Sequence, residues 1–396
     1  MGLSTLFSML KHFFLLLFSF LVLASCGGND DPVNPVEPFV PTKTKNTVFV
    51  FMPYTADNNG YYSLYNNLKV NLEDMEQAIK QEKGLGNSQL IVFISENIKT
   101  SHLIYIDYNK NKGKCRRDTL NTYTSYDYTT PDGIAYLLTS VKQWAPADNY
   151  SMIIGCHGEG WMPKEQTKQT RYFGGSAISI DISDFTEGIK NAGMKMNYIL
   201  FDDCYMSGIE VAYQLREAAN YLIASTSEMM GYGMPYHKIL KYLLADNPDY
   251  EAVCSDFTSF YNNFSMPYGT IAVTDLGYTE EMASFMKSIN STHTFDLDKI
   301  DDVQDLDVAH FDPTVYFDLG SYLRVLCGDD AATYTEAANL LKKLVPYKGT
   351  TGMIYSWTGR KPLKLNEYSG LTVSDPSINA SAVETKKQTA WWKATH

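Results

Sequence analysis

Two hydrophobic periods take turns along this chain. Short continuous apolar runs occur at "NTVFVFMPY", "SQLIVFISE", Ser151 to Ile154, Tyr198 to Phe201, "YLIAS" and "GTIAVTDL". They are bounded by Gly, Pro or Asp and read as buried strands, because a strand covered on both faces has no polar side to alternate with. Between them the apolar spacing changes to three and four. Leu68, Leu72, Met75 and Ile79 mark one helical face in "LYNNLKVNLEDMEQAIKQ", and "TPDGIAYLLTSVKQW" makes a helix that stops at Pro146. "DISDFTEGIKNAG" makes another, with Ser183 as candidate N-cap and Gly193 as the stop. "SHLIYIDYN" and the turn "KNKGK" read as a hairpin on a sheet edge. Strand and helix in alternation predict an α/β fold, a mostly parallel sheet with helices on both faces.

Beyond Asp246 the pattern continues as helix, strand and helix, with "TEEMASFMKSIN" and "TYTEAANLLKKLV" as helices and "GMIYSW" and "SGLTVSD" as edge strands. Trp391 and Trp392 are expected to pack back on the body, since a loose tail would leave large apolar rings in water. The chain after its leader, about 350 residues, exceeds the usual size of one core. The expected division is a main sheet over residues 47–245 and an α/β region over 246–396 packed on it.

The first 25 residues place Lys11 before the apolar run "FFLLLFSFLVLA" and small residues, which is a signal peptide rather than a bilayer span. The ending "LASC" resembles the lipobox of bacterial lipoproteins. That resemblance implies cleavage before Cys26, acylation of that residue, and a membrane anchor in the cell envelope, the outer membrane in particular. An ordinary secretory signal is the alternative. Residues 26–46 then form a tether, where Pro32, Pro35, Pro38 and Pro41 favour polyproline II reaching about 60 Å. Asn29, Asp30 and Asp31 resemble the acidic tag of surface-exposed lipoproteins, or are plain solvated linker.

Composition adds an exclusion. With 44% hydrophobic and 20% charged residues the chain is globular, and its net charge of -12 argues against a nucleic-acid partner. The short "KNKGKCRR" is the main basic run.

The candidate chemistry sits just past two of the strands. His157 follows the apolar run Ser151 to Ile154, and Cys204 follows Tyr198 to Phe201 about 50 residues later, room for a loop and one crossover helix. In an open parallel sheet, chemistry collects outside the carboxyl ends of the strands, so neighbouring strands would bring imidazole and thiol together there. Such a pair supplies a thiolate nucleophile and a proton donor. A helix read as starting at Cys204, "YMSGIEVAYQL", would add its dipole to stabilise the thiolate. Cys156 projects oppositely and is expected in the core. Six cysteines show no pairing pattern. Asp202, Asp203, Glu159 and His157 make a weak metal alternative without a recognised ligand spacing.

"PADNYSMIIGCHGEGW", "FDDCYMSGIEVAYQL" and "FMPYTADNNGYYSLYNNLKVNLEDM" resemble the blocks of the clostripain family of cysteine peptidases, which have a caspase-like fold. The resemblance implies peptide-bond hydrolysis by a Cys204–His157 dyad on protein or peptide substrates. It also implies an oxyanion hole using the backbone beside Gly158, and Asp202 contacting a basic P1 side chain. Asp203 fits a helix cap better. Glu228 is the available second acid, and Met234 stands where relatives commonly carry an aromatic residue. Relatives are often cut by their own activity, which makes Lys164, Lys168 and Arg171 in "MPKEQTKQTRYFGG" candidate self-cleavage sites. Calcium is implied by the resemblance alone, since no local calcium-loop motif supports it. A catalytically idle binding lipoprotein and a thiol-dependent acyl or peptidyl transferase remain as alternatives.

Overall fold

The apolar runs pair side by side at the centre of a nine-stranded sheet. The computed structural model describes residues 39–53, 64–124, 128–162, 173–175, 178–307 and 309–396. Cys26, Lys164, Lys168 and Arg171 lie outside these residues, as does most of the expected tether. The first strand begins slightly earlier than expected, at Thr44.

Strands β1 (Thr44–Met52), β2 (Ser88–Asn97), β5 (Ala147–Ile154), β8 (Met196–Phe201) and β9 (Ala219–Ala224) form a parallel core in the order β2-β1-β5-β8-β9. Each edge is extended by antiparallel strands. The hairpin β3 (Thr100–Asn109) and β4 (Lys114–Tyr123) adds to β2, while β10 (Thr270–Asp275) and β12 (Tyr347–Thr350) add to β9. The expected boundary at residue 245 therefore falls inside one sheet, and Pro41–His396 form one compact unit.

Alternation along each buried strand feeds two cores. Phe49, Phe51, Phe93, Ile154 and Phe201 face helices α2 (Pro131–Trp144), α3 (Ile182–Asn191) and α4 (Ile209–Leu215). Val48, Val50, Val92, Ile153 and Leu200 face α1 (Leu64–Gln81), α5 (Tyr236–Leu243) and α6 (Tyr250–Asn262). The predicted helices over 64–81 and 131–144 stand where the periodicity puts them. The crossover helix α3 starts after Asp181, with Ser183 inside its first turn, and Gly193 follows it at a positive φ of 62°.

A third core lies among α7 (Thr279–Asn290), α8 (Leu319–Cys327), α9 (Ala331–Leu344) and the terminal α11 (Ala390–Thr395), which follows the short α10 (Ala380–Lys386). Trp391 is buried there, its ring edge-on to Tyr213 at 5.7 Å. Short pairs β6 (Phe173–Gly175) with β7 (Ile178–Ile180), β11 (Phe317–Asp318) with β15 (Thr372–Val373), and β13 (Met353–Ser356) with β14 (Lys361–Lys364) complete the elements. Among the described residues no helix is long and apolar enough to cross a membrane.

Candidate active site

Strand register brings the two reactive side chains together. Ile154 of β5 pairs with Phe201 of β8, so His157 and Cys204 each lie three residues past a matched pair on adjacent strands. Both line one cleft of about 280 Å³ at the carboxyl end of the sheet, with Gly158, Glu159, Asp202, Glu228, Met229, Gly233 and His310. His157 is exposed to the cleft and its backbone is fixed by reciprocal hydrogen bonds with Gly174, both 2.9 Å. The Cys204 sulfur accepts the Met229 backbone N–H at 3.2 Å and lies 3.9 Å from the Met229 carbonyl oxygen. Burial pushes the thiol well above its ordinary range and the nearby Glu228 carboxylate adds to this, while the Met229 N–H favours the thiolate.

The expected helix does not begin at Cys204. Residues 203–207 form an irregular turn, and α4 starts only at Ile209. A helix dipole acts within about one turn of its end, so it does little for the thiol. The turn is held by Tyr205, whose φ of 60° is unusual for a bulky residue. Its ring stacks on Tyr316 at 5.4 Å, and its hydroxyl donates to Glu228 at 3.2 Å.

Gly158 is fitted to this turn. A Cβ at residue 158 would collide with the Cys204 carbonyl oxygen and lie 2.8 Å from the Asp203 Cβ and 3.1 Å from the Cys204 nitrogen. Only a residue without a side chain lets these two backbones approach so closely. Their adjacency is what a pair of oxyanion-binding amides requires.

Asp202 and Asp203 point into different surroundings. Asp202 lines the cleft, is nine-tenths buried and has partners of its own. It accepts the Met234 N–H and the Tyr236 hydroxyl, each at 2.9 Å, and Gly233 (φ 74°) leaves room for it where a Cβ would come within 2.6 Å. Burial nevertheless outweighs those two donors and pushes its pKa up to about 6. Asp203 caps no helix. It accepts the Cys156 N–H at 2.6 Å and the Cys156 thiol at 3.2 Å, which ties the two strand ends together. Cys156 is buried, as expected from its direction along the strand.

Glu228 is present in the cleft but engaged. It accepts from Tyr205, from the Ser356 hydroxyl at 3.1 Å and from the Trp357 N–H at 2.8 Å, and lies 3.4 Å from His310 Nδ1. Burial alone would raise its pKa, but His310 and these donors hold the carboxyl below the usual range. It is not a free second acid for a substrate. His310 escaped the sequence reading, because a lone His in "VAHFDP" carries no spacing signal. Its Nε2 lies 3.0 Å from the Glu159 carboxylate and its Nδ1 3.1 Å from the Thr358 hydroxyl. Burial disfavours its charge, yet the two glutamates push its pKa up to about 10.

The five cysteines among the described residues are free. Among those residues, no group of three or more His, Cys, Asp or Glu side chains is placed to hold a metal ion.

A model of the clostripain family matches residues 51–371. Clostripain of Hathewaya histolytica is 26% identical over 227 residues, 50% of this chain and 42% of that protein. The chain therefore spans less than half the length of that curated relative. Among solved structures, iotapain, a secreted cysteine protease of Bacteroides thetaiotaomicron, has a TM-score of 0.82 and 41% identity, covering 90% of this chain and 100% of its own. A clostripain of the same species in complex with the peptide inhibitor BTN-VLTK-AOMK is 46% identical at a TM-score of 0.54, covering 57% of this chain and 99% of its own. With the family model spanning most of the sequence and an imidazole and a thiol at the ends of its two central strands, this chain belongs to the clostripain family of cysteine peptidases.

Proposed function

We propose that this protein is a lipid-anchored cysteine endopeptidase acting through Cys204 and His157, with preference for Arg or Lys at P1. The observation that carries the reading is the Gly158–Cys204 backbone approach beside a thiol and an imidazole in one cleft. The Cys204 thiolate attacks the scissile carbonyl carbon, and the carbonyl π pair becomes an oxyanion facing the amides of residues 158 and 204. His157, carrying the thiol proton, gives it to the departing amine as the C–N bond breaks. Water then loses a proton to His157, attacks the thioester and releases the acid and the thiol.

Asp202 supports the P1 preference, since it lines the cleft and a basic side chain would meet a charge screened little by water. The related clostripain bound to an inhibitor reading VLTK is in keeping with this. The segment carrying Lys164, Lys168 and Arg171 then offers basic residues after which the enzyme can cut its own chain. Cys26 and the proline tether would hold the catalytic body off the membrane of the cell envelope, reaching protein and peptide substrates there.

Incubating wild type, Cys204→Ala and His157→Ala with a positional peptide library tests the core of this reading. Cleavage after Arg and Lys by wild type alone supports it, whereas equal cleavage by Cys204→Ala removes the mechanism. Fragment sequencing of the same preparations reports self-processing, and a Cys26→Ser chain that still pellets with membranes removes the anchor.

A further inference from the structure

Three loops from distant parts of the chain meet at one imidazole. Glu159 lies two residues past His157, on the segment whose backbone passes Cys204. Glu228 precedes Met229, whose N–H contacts the Cys204 sulfur. Thr358 belongs to the turn between β13 and β14, where Ser356 and Trp357 also bind Glu228. His310 reaches all three, at 3.0 Å to Glu159, 3.4 Å to Glu228 and 3.1 Å to Thr358. Its ring is fixed between Tyr205, at 5.0 Å, and Phe311, edge-on at 4.6 Å.

We propose that His310 is a positioning residue that, as an imidazolium, offsets part of the negative charge of the glutamates flanking the Cys204 thiol and fastens the His157 loop to the loop holding the sulfur. The proposal rests on Cys204 being the nucleophile. Both Glu228 and Glu159 disfavour the thiolate, and Asp203 adds to them. One cation shared between Glu159 and Glu228 leaves a net single negative charge where there would be two. The other titratable groups facing His310 are the Tyr205 phenol and Asp307, whose burial, aided by Asp305, pushes it up to about 7. Asp307 cannot replace the cation. The imidazolium persists across the neutral range because its pKa stands at about 10, so the compensation is constant during turnover near neutrality.

The same arrangement explains how a carboxylate can be buried beside a reactive thiol. Without His310, Glu228 would still accept from Tyr205, Ser356 and Trp357, but its charge would face Cys204 uncompensated. Glu159 would also lose the His310 contact that fixes its side chain, while its backbone carbonyl still accepts the Tyr316 hydroxyl. Thiolate formation and loop position are thus coupled through one side chain.

The test follows iodoacetamide alkylation of Cys204 against pH in the detergent-solubilised full chain, read by mass spectrometry of the Cys204 peptide. His310→Gln should move the alkylation midpoint up by about one pH unit, with kcat/KM down about 10- to 100-fold. Adding Glu159→Gln to that variant should return part of the shift, and Glu159→Gln alone should move the midpoint below wild type. A purely structural role for His310 would not produce this ordering by charge. A folded His310→Gln protein with the wild-type midpoint overturns the proposal. If His310→Gln fails to fold, an unmoved midpoint in Glu159→Gln overturns it instead. A wild-type Cys204 that takes no label at any pH while peptide cleavage proceeds overturns the nucleophile assignment beneath it.

Discussion

Cys156 and Cys204 stand at the carboxyl ends of adjacent parallel strands, and they differ in nearly everything except that. Cys156 is 4% exposed, and its thiol donates to a buried Asp203 carboxylate. Burial and that negative charge push it far above the ordinary thiol range, so it stays a neutral hydrogen-bond donor. Cys204 opens into the cleft, receives a backbone N–H, and shares the cleft with an exposed imidazole and a compensating imidazolium. The strand end supplies the position; the groups around the sulfur decide whether it can act.

The largest effect expected from breaking this contrast is in Cys204→Ala, which should lower kcat/KM by about 10⁴-fold or more while leaving the melting temperature nearly unchanged. Steady-state assays and thermal unfolding together check both halves of that statement. Next is Gly158→Ala. Its new Cβ would force the two strand-end backbones apart, and the resulting loss in kcat should be about 10²- to 10³-fold, as for removing one oxyanion donor. An unaffected kcat in that variant would show that the close approach serves packing alone.

Asp202→Asn should cost less, about 10²-fold in the ratio of kcat/KM for Arg over neutral P1 substrates. Its pH dependence has a definite sign. Because the carboxyl pKa is raised to about 6, the charge is present above that value, and selectivity for basic P1 should fall as pH drops through about 6. A ratio that is flat between about pH 5 and pH 8 would remove Asp202 from the specificity site. The smallest catalytic effect belongs to Cys156→Ala, which should leave kcat/KM within about twofold. It should destabilise the fold by about 1–2 kcal/mol, since Asp203 loses the thiol donor in a buried site. Urea unfolding measures that loss, and a large fall in kcat would instead make Cys156 part of the chemistry.

Much of this was legible in local pattern. The helix over Leu64–Gln81 and the strands that carry His157 and Cys204 lie where the periodicity puts them, because burying one face of a helix or both faces of a strand leaves a repeat in the sequence itself. Neither Ser183 nor Cys204 begins its helix, for a related reason. Cap and turn residues signal that a helix is near, but the residue where it begins depends on backbone angles such as the φ of 60° at Tyr205, which stacking on Tyr316 holds in place.

What the sequence determined by itself was the succession of strands and helices and the chemical types at their ends, since both follow from interactions among near neighbours. Tertiary structure alone decided the charge states and pairings in the cleft: Asp203 on Cys156 instead of a helix, Asp202 on Met234 and Tyr236, Glu228 and Glu159 on His310. Each of these joins residues far apart in the chain, some more than a hundred positions, and a side chain's pKa responds to burial and to the charges within a few ångströms, whatever their place in sequence.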